Sequence, residues 1–206
     1  MLQKPAKGLM IVVSGPAGSG KGTVLADLRR DKAFAYSVSA TTRAPRPGEV
    51  DGEHYYFLTR EEFEKKIARG EMLEYTEYCG NLYGTPKKEA ERVIESGKHL
   101  LLEIEVQGAK NIKRAFPHAV TVMLLPPSFA VQEQRLRDRG TESEERILGR
   151  LERTKEELQD LSDYDYIVLN PDGGIADATA QIRAIVKAAE SAAERFPDLA
   201  KHYFEN

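Results

Sequence analysis

The amino-acid sequence predicts an α/β fold with a parallel central sheet, because apolar strand-like runs alternate with helix-compatible segments. The first run, residues 8–14, ends at a glycine cluster and is followed by a helix-compatible segment at 21–30. The same alternation returns between residues 99 and 125. Strands covered on both faces are typically continuous apolar runs joined by crossover helices, and this chain has that pattern.

The later elements extend the alternation. Residues 99–106 predict a buried strand, residues 108–116 a helix, and residues 119–125 another strand that ends at Pro126. Tyr166–Leu169 predicts one more strand. Residues 175–196 are rich in alanine and predict a long helix that would cover one face of the sheet.

Two segments interrupt this alternation within a single predicted domain, 1–206. Residues 36–85 predict a small inserted subdomain, with short strands around a helix at 60–69 that Thr59 and Glu62 begin as a capping box. Residues 128–160 carry repeated arginines and a break at Gly140, which predict a helical hairpin or lid. The remaining core is predicted as residues 1–35, 86–127 and 161–206.

Composition excludes several classes of protein. The 206 residues are 41% hydrophobic and carry a net charge of -3, so no global cationic field favours nucleic acid as a partner. Cys79 is the only cysteine, which excludes a disulfide framework and predicts a structural thiol. The apolar run at 9–13 is too short for a signal sequence or a membrane span. We therefore expect a cytoplasmic protein without a membrane partner.

A phosphate-binding loop is predicted directly after the first strand. Glycines let backbone N–H groups converge on a polyphosphate at a helix N-terminus, and Lys21 would neutralise its outer phosphates. Gly22 stands where the common pattern has Ser or Thr, so direct magnesium binding by the loop is left open. The loop residues are Gly15, Pro16, Ala17, Gly18, Ser19, Gly20, Lys21, Gly22 and Thr23.

Two alternatives to a kinase loop are an ordinary glycine-rich turn and a GTPase site. Loop, lysine and flanking periodicity agree with one another, which disfavours a simple turn. The sequence lacks the Asn-Lys-x-Asp tetrapeptide with which GTPases read guanine. The loop therefore favours a kinase.

A second candidate anion site lies in residues 39–49, SATTRAPRPGE. Arg43 and Arg46 are three residues apart, and prolines on either side of Arg46 stiffen the loop. Two guanidinium groups can hold one phosphate in charge-assisted forks, and the Tyr55 hydroxyl can add a donor. Without further context, two exposed arginines in a proline-rich loop are equally compatible with solvated charges.

The order of these motifs is similar to that of the guanylate kinase family along nearly the whole chain. GPAGSGKGT is followed by SATTRAPRPGE, by Glu74 ahead of the GNLYGT stretch, by residues 102–108 and by Arg139 in RGTE. This resemblance implies a P-loop NTPase-type core, a GMP-binding subdomain at 36–85 and a mobile lid. It also implies phosphoryl transfer from ATP to GMP, with Mg²⁺ bound together with ATP and no predicted protein ligand for the metal.

The resemblance assigns the acceptor site residue by residue. The GMP phosphate would be bound by Arg43, Arg46, Tyr55 and Tyr83. Guanine would be surrounded by Ser39, Glu74 and Thr85, since a carboxylate can accept from both N1–H and the exocyclic amine of the base. The bare pattern would make Glu74 a surface strand residue. Glu105 would contact GMP or magnesium-bound water, and Glu103 is either a similar group or a structural partner.

The resemblance also assigns the donor site and the lid. Arg135 would stack on adenine and Asn170 would contact it. Arg139 and Arg150 would clamp the transferring phosphoryl group and, with Lys21 and Arg43, form the catalytic set. Arg137 and Arg146 are interpreted as solvated lid charges.

Two rival functions stay open at this point. One is a kinase for another monophosphate, such as AMP. The other is a guanylate-kinase-like interaction module that binds phosphorylated protein segments, although such modules typically have a degraded P-loop and this chain keeps Lys21. ATP and GMP are the expected partners, and a homo-oligomer is left open.

Overall fold

The computed structural model describes residues 7–78, 80–140 and 143–200. Cys79 lies outside them, so its predicted structural role stays a prediction. In chain order the strands and helices are β1 (Met10–Ser14), α1 (Lys21–Leu28), β2 (Phe34–Tyr36), β3 (Ala40–Thr41), β4 (Tyr56–Phe57), α2 (Arg60–Ala68), β5 (Met72–Tyr78), β6 (Asn81–Pro86), α3 (Lys87–Glu95), β7 (His99–Glu103), α4 (Val106–Ala115), β8 (Val120–Leu125), α5 (Phe129–Asp138), α6 (Glu144–Glu157), β9 (Tyr166–Leu169) and α7 (Ile175–Glu190).

The central sheet is parallel, with the order β2-β7-β1-β8-β9. Strand β1 lies in the middle, and all five of its residues are buried. Ile11 and Val13 pack with helices α1 and α7 on one face, while Met10 and Val12 pack with α3 and α4 on the other. The continuous apolar run in the sequence therefore reflects burial on both faces, as predicted.

Three predicted element bounds are wrong. Strand β7 ends at Glu103, and Glu105 is the extended N-cap residue of α4, which begins at Val106 and not at residue 108. Helix α7 ends at Glu190, six residues earlier than predicted, and the chain then forms a short 3₁₀ turn at Ala193–Arg195. Pro197 disfavours the α-helical conformation at the residue before it, Phe196, where the predicted helix was to end.

The segment 36–85 contains a second, separate sheet with the order β4-β3-β6-β5. Its small core is formed by Phe63 of α2 with Ala40 and Leu82. The predicted capping box is confirmed, since the Thr59 hydroxyl accepts from the Glu62 N–H and the Glu62 carboxylate accepts from the Thr59 N–H.

Helices α5 and α6 form an antiparallel hairpin with its own small core of Leu136, Ile147 and Leu151, packed against Ala17 of the phosphate-binding loop. The buried Gln132 amide donates to the Ala17 carbonyl at 2.8 Å and to the Thr154 hydroxyl at 2.7 Å. The hairpin is thereby attached to the loop at its base. In the part of the chain that the structure describes, no helix has the length and apolarity to cross a bilayer.

We expect Thr59→Ala to lower the free energy of unfolding by about 1 kcal/mol, because the first turn of α2 loses a side-chain acceptor. Urea denaturation followed by circular dichroism measures the change. Thr59→Ser keeps the hydroxyl and should stay close to the wild-type protein. Equal stability of the alanine variant and the wild type would contradict the capping role.

Candidate active site

A cleft of about 810 Å³ lies where the phosphate-binding loop, the second sheet and helix α6 meet. One wall carries the loop residues from Pro16 to Gly22, and the opposite wall carries side chains of the second sheet. Four arginines of the α5–α6 hairpin line it as well. This volume lies within the usual range of ligand pockets, about 300–1,000 Å³.

The phosphate-binding loop leads into α1 through Gly20, which has a φ of 87°. A Cβ at Gly20 would lie 2.3 Å from the Asn170 amide nitrogen, so both backbone conformation and space require glycine there. No side chain caps the first turn of α1. Its amide groups, with the positive end of the helix dipole, are therefore arranged to receive an anion.

Lys21 reaches back over the loop. Its ammonium group donates to the carbonyl oxygens of Gly15 and Pro16, the latter at 3.3 Å. The lysine therefore lies beside the loop amides, where the sequence predicted its charge.

Arg43 is bound by Glu49, a residue to which the sequence analysis gave no role. The Arg43 Nη2 donates to both carboxylate oxygens, at 2.8 and 2.9 Å, and the Arg46 backbone N–H donates to the same group at 2.7 Å. Desolvation opposes ionisation of Glu49, but these hydrogen bonds outweigh it and hold the pKa of its carboxyl below the ordinary value. The sequence could have indicated this contact, because Glu49 follows Arg46 by only three residues in the same loop.

A chain of three tyrosine rings begins beside Arg43. The Arg43 guanidinium carbon is 5.5 Å from the centroid of the Tyr55 ring. Tyr55 and Tyr83 meet edge to face with centroids 6.2 Å apart, and Tyr83 meets Tyr78 in the same way at 6.4 Å. Arg43, Arg46, Tyr55 and Tyr83 all line the cleft, so the structure brings the predicted phosphate-binding set together.

Glu74 is buried, which excludes the alternative of a surface strand residue that the bare pattern left open. It pairs with Thr85 across β5 and β6, just after a register shift between Met72 and Glu74, and it shares the cleft-facing side of β5 with Thr76 and Tyr78. The Thr85 hydroxyl donates to Oε1 at 3.0 Å, whereas Oε2 has no partner among the described residues. Burial raises the pKa of the Glu74 carboxyl to about 7.

Ser39 lines the same cleft, and Gly108 of α4 packs against the Glu74 carboxyl group. A Cβ at Gly108 would lie 2.9 Å from Glu74 Oε2. The sequence analysis gave Gly108 no role beyond a helix start. A glycine in the first turn of a helix that follows a buried strand was the signal that could have identified this close approach.

Four arginines of the hairpin line the cleft: Arg139, Arg146, Arg150 and Arg153. Arg137 instead pairs with Glu133 and Glu144 on the hairpin surface. Arg146 is exposed, as expected of a solvated lid charge, but it also faces the cleft, and Arg153 was missed. Their spacing could have identified both, because residues 146, 150 and 153 share one face of a helix.

A second, smaller cavity of about 390 Å³ lies on the other side of the phosphate-binding loop. Arg135 lines it and is bound there, donating to the Asp172 carboxylate at 2.6 Å and to the Asn170 carbonyl at 2.9 Å. The buried Asn170 amide donates to the Ser19 carbonyl at 2.8 Å. Thr23 and Arg139 also line this cavity, so it adjoins the larger cleft.

The fold and the site together define a P-loop nucleoside monophosphate kinase. A helix N-terminus prepared for a polyphosphate faces, across one cleft, an arginine and tyrosine site suited to a single phosphate. The hairpin arginines lie along the same cleft, where phosphoryl transfer would need positive charge.

Comparisons with known proteins agree with this class. A family model described as "Guanylate kinase" matches residues 7–189. A guanylate kinase of Desulfitobacterium hafniense (strain Y51) is 48% identical over 191 residues, covering 92% of this chain and 94% of that protein. A guanylate kinase of Halalkalibacterium halodurans is 51% identical over 190 residues, covering 92% of each. The chain belongs to the guanylate kinase family.

A solved structure adds the same conclusion for the fold. The crystal structure of guanylate kinase from Anaplasma phagocytophilum superposes with a TM-score of 0.72 at 32% identity, covering 90% of this chain and 88% of that one. The predicted family, the α/β fold and the kinase class are thereby confirmed. The roles of individual residues remain predictions.

We expect Glu74→Gln to gain stability relative to the wild type as pH rises from about 4 to about 8, by on the order of 3 kcal/mol. The unfolded carboxyl ionises near 4.5, whereas the folded one holds its proton to about 7. A raised folded pKa stabilises the fold fully below the unfolded pKa, and this contribution is lost as pH rises through the folded pKa. Urea denaturation across this range measures the difference.

The matched control is Glu77→Gln, on the same strand but exposed. It should show a much smaller pH-dependent difference from the wild type. A Glu74→Gln difference that is flat with pH would mean that the buried carboxyl does not hold its proton.

Proposed function

We propose that the cleft transfers the γ-phosphoryl group of ATP to GMP, with Lys21, Arg43, Arg139 and Arg150 as the catalytic residues. One observation supports this assignment above the others: a single cleft joins the uncapped N-terminus of α1 to the site of Arg43 and the tyrosines. The buried Glu74 carboxyl group lines the same cleft. Segments 36–85 and 128–160 would be the GMP-binding subdomain and the lid of this enzyme.

The GMP phosphate would take over the Arg43 guanidinium that Glu49 now holds, assisted by Arg46, Tyr55 and Tyr83. A phosphate accepts bidentate hydrogen bonds from arginine, and its second charge favours it over a carboxylate. Tyr55 contacts both the Arg43 guanidinium and the Tyr83 ring, and these contacts restrict the orientation of Arg43.

Guanine would lie against Glu74, Ser39 and Thr85. The unpartnered Oε2 and the Thr85-bound Oε1 are two acceptors, and guanine offers two donors, N1–H and the amine at C2. Hydrogen bonds to the charged form favour ionisation, so guanine binding would lower the pKa of Glu74 from its free value of about 7. Glu105 would contact the acceptor or magnesium-bound water from the end of the sheet.

ATP would place its phosphates on the loop from Gly15 to Thr23 and its adenine in the smaller cavity, beside Arg135 and Asn170. Magnesium fits this arrangement, because Glu103 and Glu105 line the cleft near the loop and Mg²⁺ is held by one or two carboxylates together with substrate phosphates. When bound with ATP, the ion would neutralise charge on the phosphates.

The transfer itself requires positioning and charge stabilisation more than covalent chemistry by the protein. Arg139 and Arg150 would bind the equatorial oxygens of the transferring group from the lid side, opposite Lys21. Movement of the hairpin over the nucleotides would exclude water, which otherwise hydrolyses ATP.

A coupled assay of ADP release with AMP, GMP, CMP and UMP tests the proposed reaction. We expect rapid ADP release with GMP and little with the other three. Rapid turnover with AMP instead would assign the acceptor site to adenine, and no ADP release with any acceptor would refute the kinase assignment.

Arg150→Ala should lower kcat by at least about a hundredfold while changing GMP affinity little, because its charge acts mainly on the transition state. Initial rates at varied GMP and a direct GMP titration separate the two effects. Arg137→Ala is the matched control, since Arg137 lies on the same hairpin outside the cleft. A variant that changes only the Michaelis constant for GMP would place Arg150 in ground-state binding.

Glu74→Gln should reduce the GMP-to-AMP ratio of kcat/KM, because adenine presents a bare N1 acceptor that a carboxylate repels and an amide can satisfy. Polar matching of this kind can reject the wrong base by roughly 10⁴-fold. Specificity constants of the wild type, Glu74→Gln and the exposed control Glu77→Gln measure the effect. An unchanged ratio would transfer base recognition to Ser39, Thr85 or Glu105.

A further inference from the structure

Arg153 joins the two inserted segments across the cleft. It projects from α6 of the hairpin, and its guanidinium carbon lies 4.4 Å from the centroid of the Tyr78 ring, at the end of β5 in the second sheet. An arginine at this distance from a tyrosine face makes a cation–π contact. Arg153 also lines the cleft itself.

Tyr78 belongs to the ring cluster of the acceptor site. It meets Tyr83 edge to face, Tyr83 meets Tyr55, and Arg43 lies near the Tyr55 ring. Tyr83 and Tyr55 are proposed ligands of the GMP phosphate. Packed rings of this kind restrain each other, so the orientation of Tyr78 depends on the ordering of its neighbours.

The Arg153 side chain also contacts Glu157, which lies toward the phosphate-binding loop. Its Nε donates to Glu157 Oε1 at 3.3 Å, one turn further along α6. The Glu157 side chain is only 11% exposed. Burial and the charge of Glu105 raise its pKa, while Arg153 and Lys21 act in the opposite direction. Arg153 thus lies between the acceptor rings and the groups beside the phosphate-binding loop.

We propose that Arg153 is a positioning residue that couples the acceptor nucleotide to the lid through its contact with Tyr78. The inference rests on the proposed function, because it takes the cleft as the ATP and GMP site. Residues 146, 150 and 153 lie on one face within about two turns of helix α6, so fixing Arg153 on Tyr78 also restricts Arg150 and Arg146. GMP, by ordering the tyrosines, then places the lid charges for ATP.

Coupling of this kind is reciprocal: ATP must strengthen GMP binding by the same factor by which GMP strengthens ATP binding. A cation–π contact between partly exposed groups accounts for roughly a threefold to tenfold change in affinity. We therefore expect that much loss of synergy when the contact is removed, and in Arg153→Ala little change in the affinity for GMP alone.

The experiment is isothermal titration of GMP into the protein with and without the β,γ-imido analogue of ATP and Mg²⁺. The variants are Arg153→Ala, Tyr78→Leu and their combination. Tyr78→Phe keeps the aromatic face and should keep the synergy. Lys155→Ala removes a cation from the same helix, where Lys155 pairs with Glu152, and should leave the synergy at its wild-type value.

The expected result is equal loss of synergy in Arg153→Ala, Tyr78→Leu and the double variant, because either change removes the same contact. Additive losses, an undiminished synergy in Arg153→Ala, or a wild type without synergy would each overturn the coupling. A loss confined to the affinity for GMP alone would overturn it too, since Arg153 would then be a GMP ligand.

The ADP-release assay on the same wild-type preparation separates this inference from the proposed function. Wild-type turnover with GMP, together with unchanged synergy in Arg153→Ala, removes only the coupling. Absence of wild-type turnover removes the proposed function and the coupling with it.

Discussion

The arrangement of the site depends on the amide groups at the start of α1, which the N-cap Gly20 leaves without a side-chain cap and which a helix N-terminus offers to anions. Strand β1 directs this loop from the middle of the sheet, with both of its faces buried. Gly20 allows the Asn170 amide to approach from β9, and the hairpin is attached to the same loop through Gln132. Core, hairpin and cleft are thus placed relative to one short segment.

The sequence was sufficient where structure follows local pattern. Continuous apolar runs predicted the buried parallel strands, and the capping box at Thr59 predicted the start of α2. Motif order predicted the family, which the comparisons confirm. Strand β7 was predicted too long because apolar residues continue in the sequence after the strand has ended. Glu105 is extended, but it is already the N-cap residue of helix α4.

Pairing across strands and between segments could not be deduced in this way. Alternation along β5 places Glu74 on the same face as Thr76 and Tyr78, but its burial also depends on Thr85 and Gly108, which other segments bring against it. The Arg153 contact with Tyr78 joins residues from different insertions, so it depends on how the two segments meet. The sequence thus identified many of the side chains that line the cleft, but not the contacts that these side chains make with one another.

The ion pair between Arg43 and Glu49 has a consequence for which molecules can occupy the acceptor site. The arginine already has a monoanionic partner, held also by the Arg46 backbone, so an incoming group must displace a satisfied charge. A nucleoside without phosphate has no anion that could replace the Glu49 carboxylate. A dianionic phosphate, in contrast, can form stronger bidentate hydrogen bonds to the Arg43 guanidinium than the carboxylate does. If Arg43 binds the acceptor phosphate as proposed, this ion pair would select ligands by the charge of their phosphate group, and a nucleoside without phosphate would gain little from Arg43.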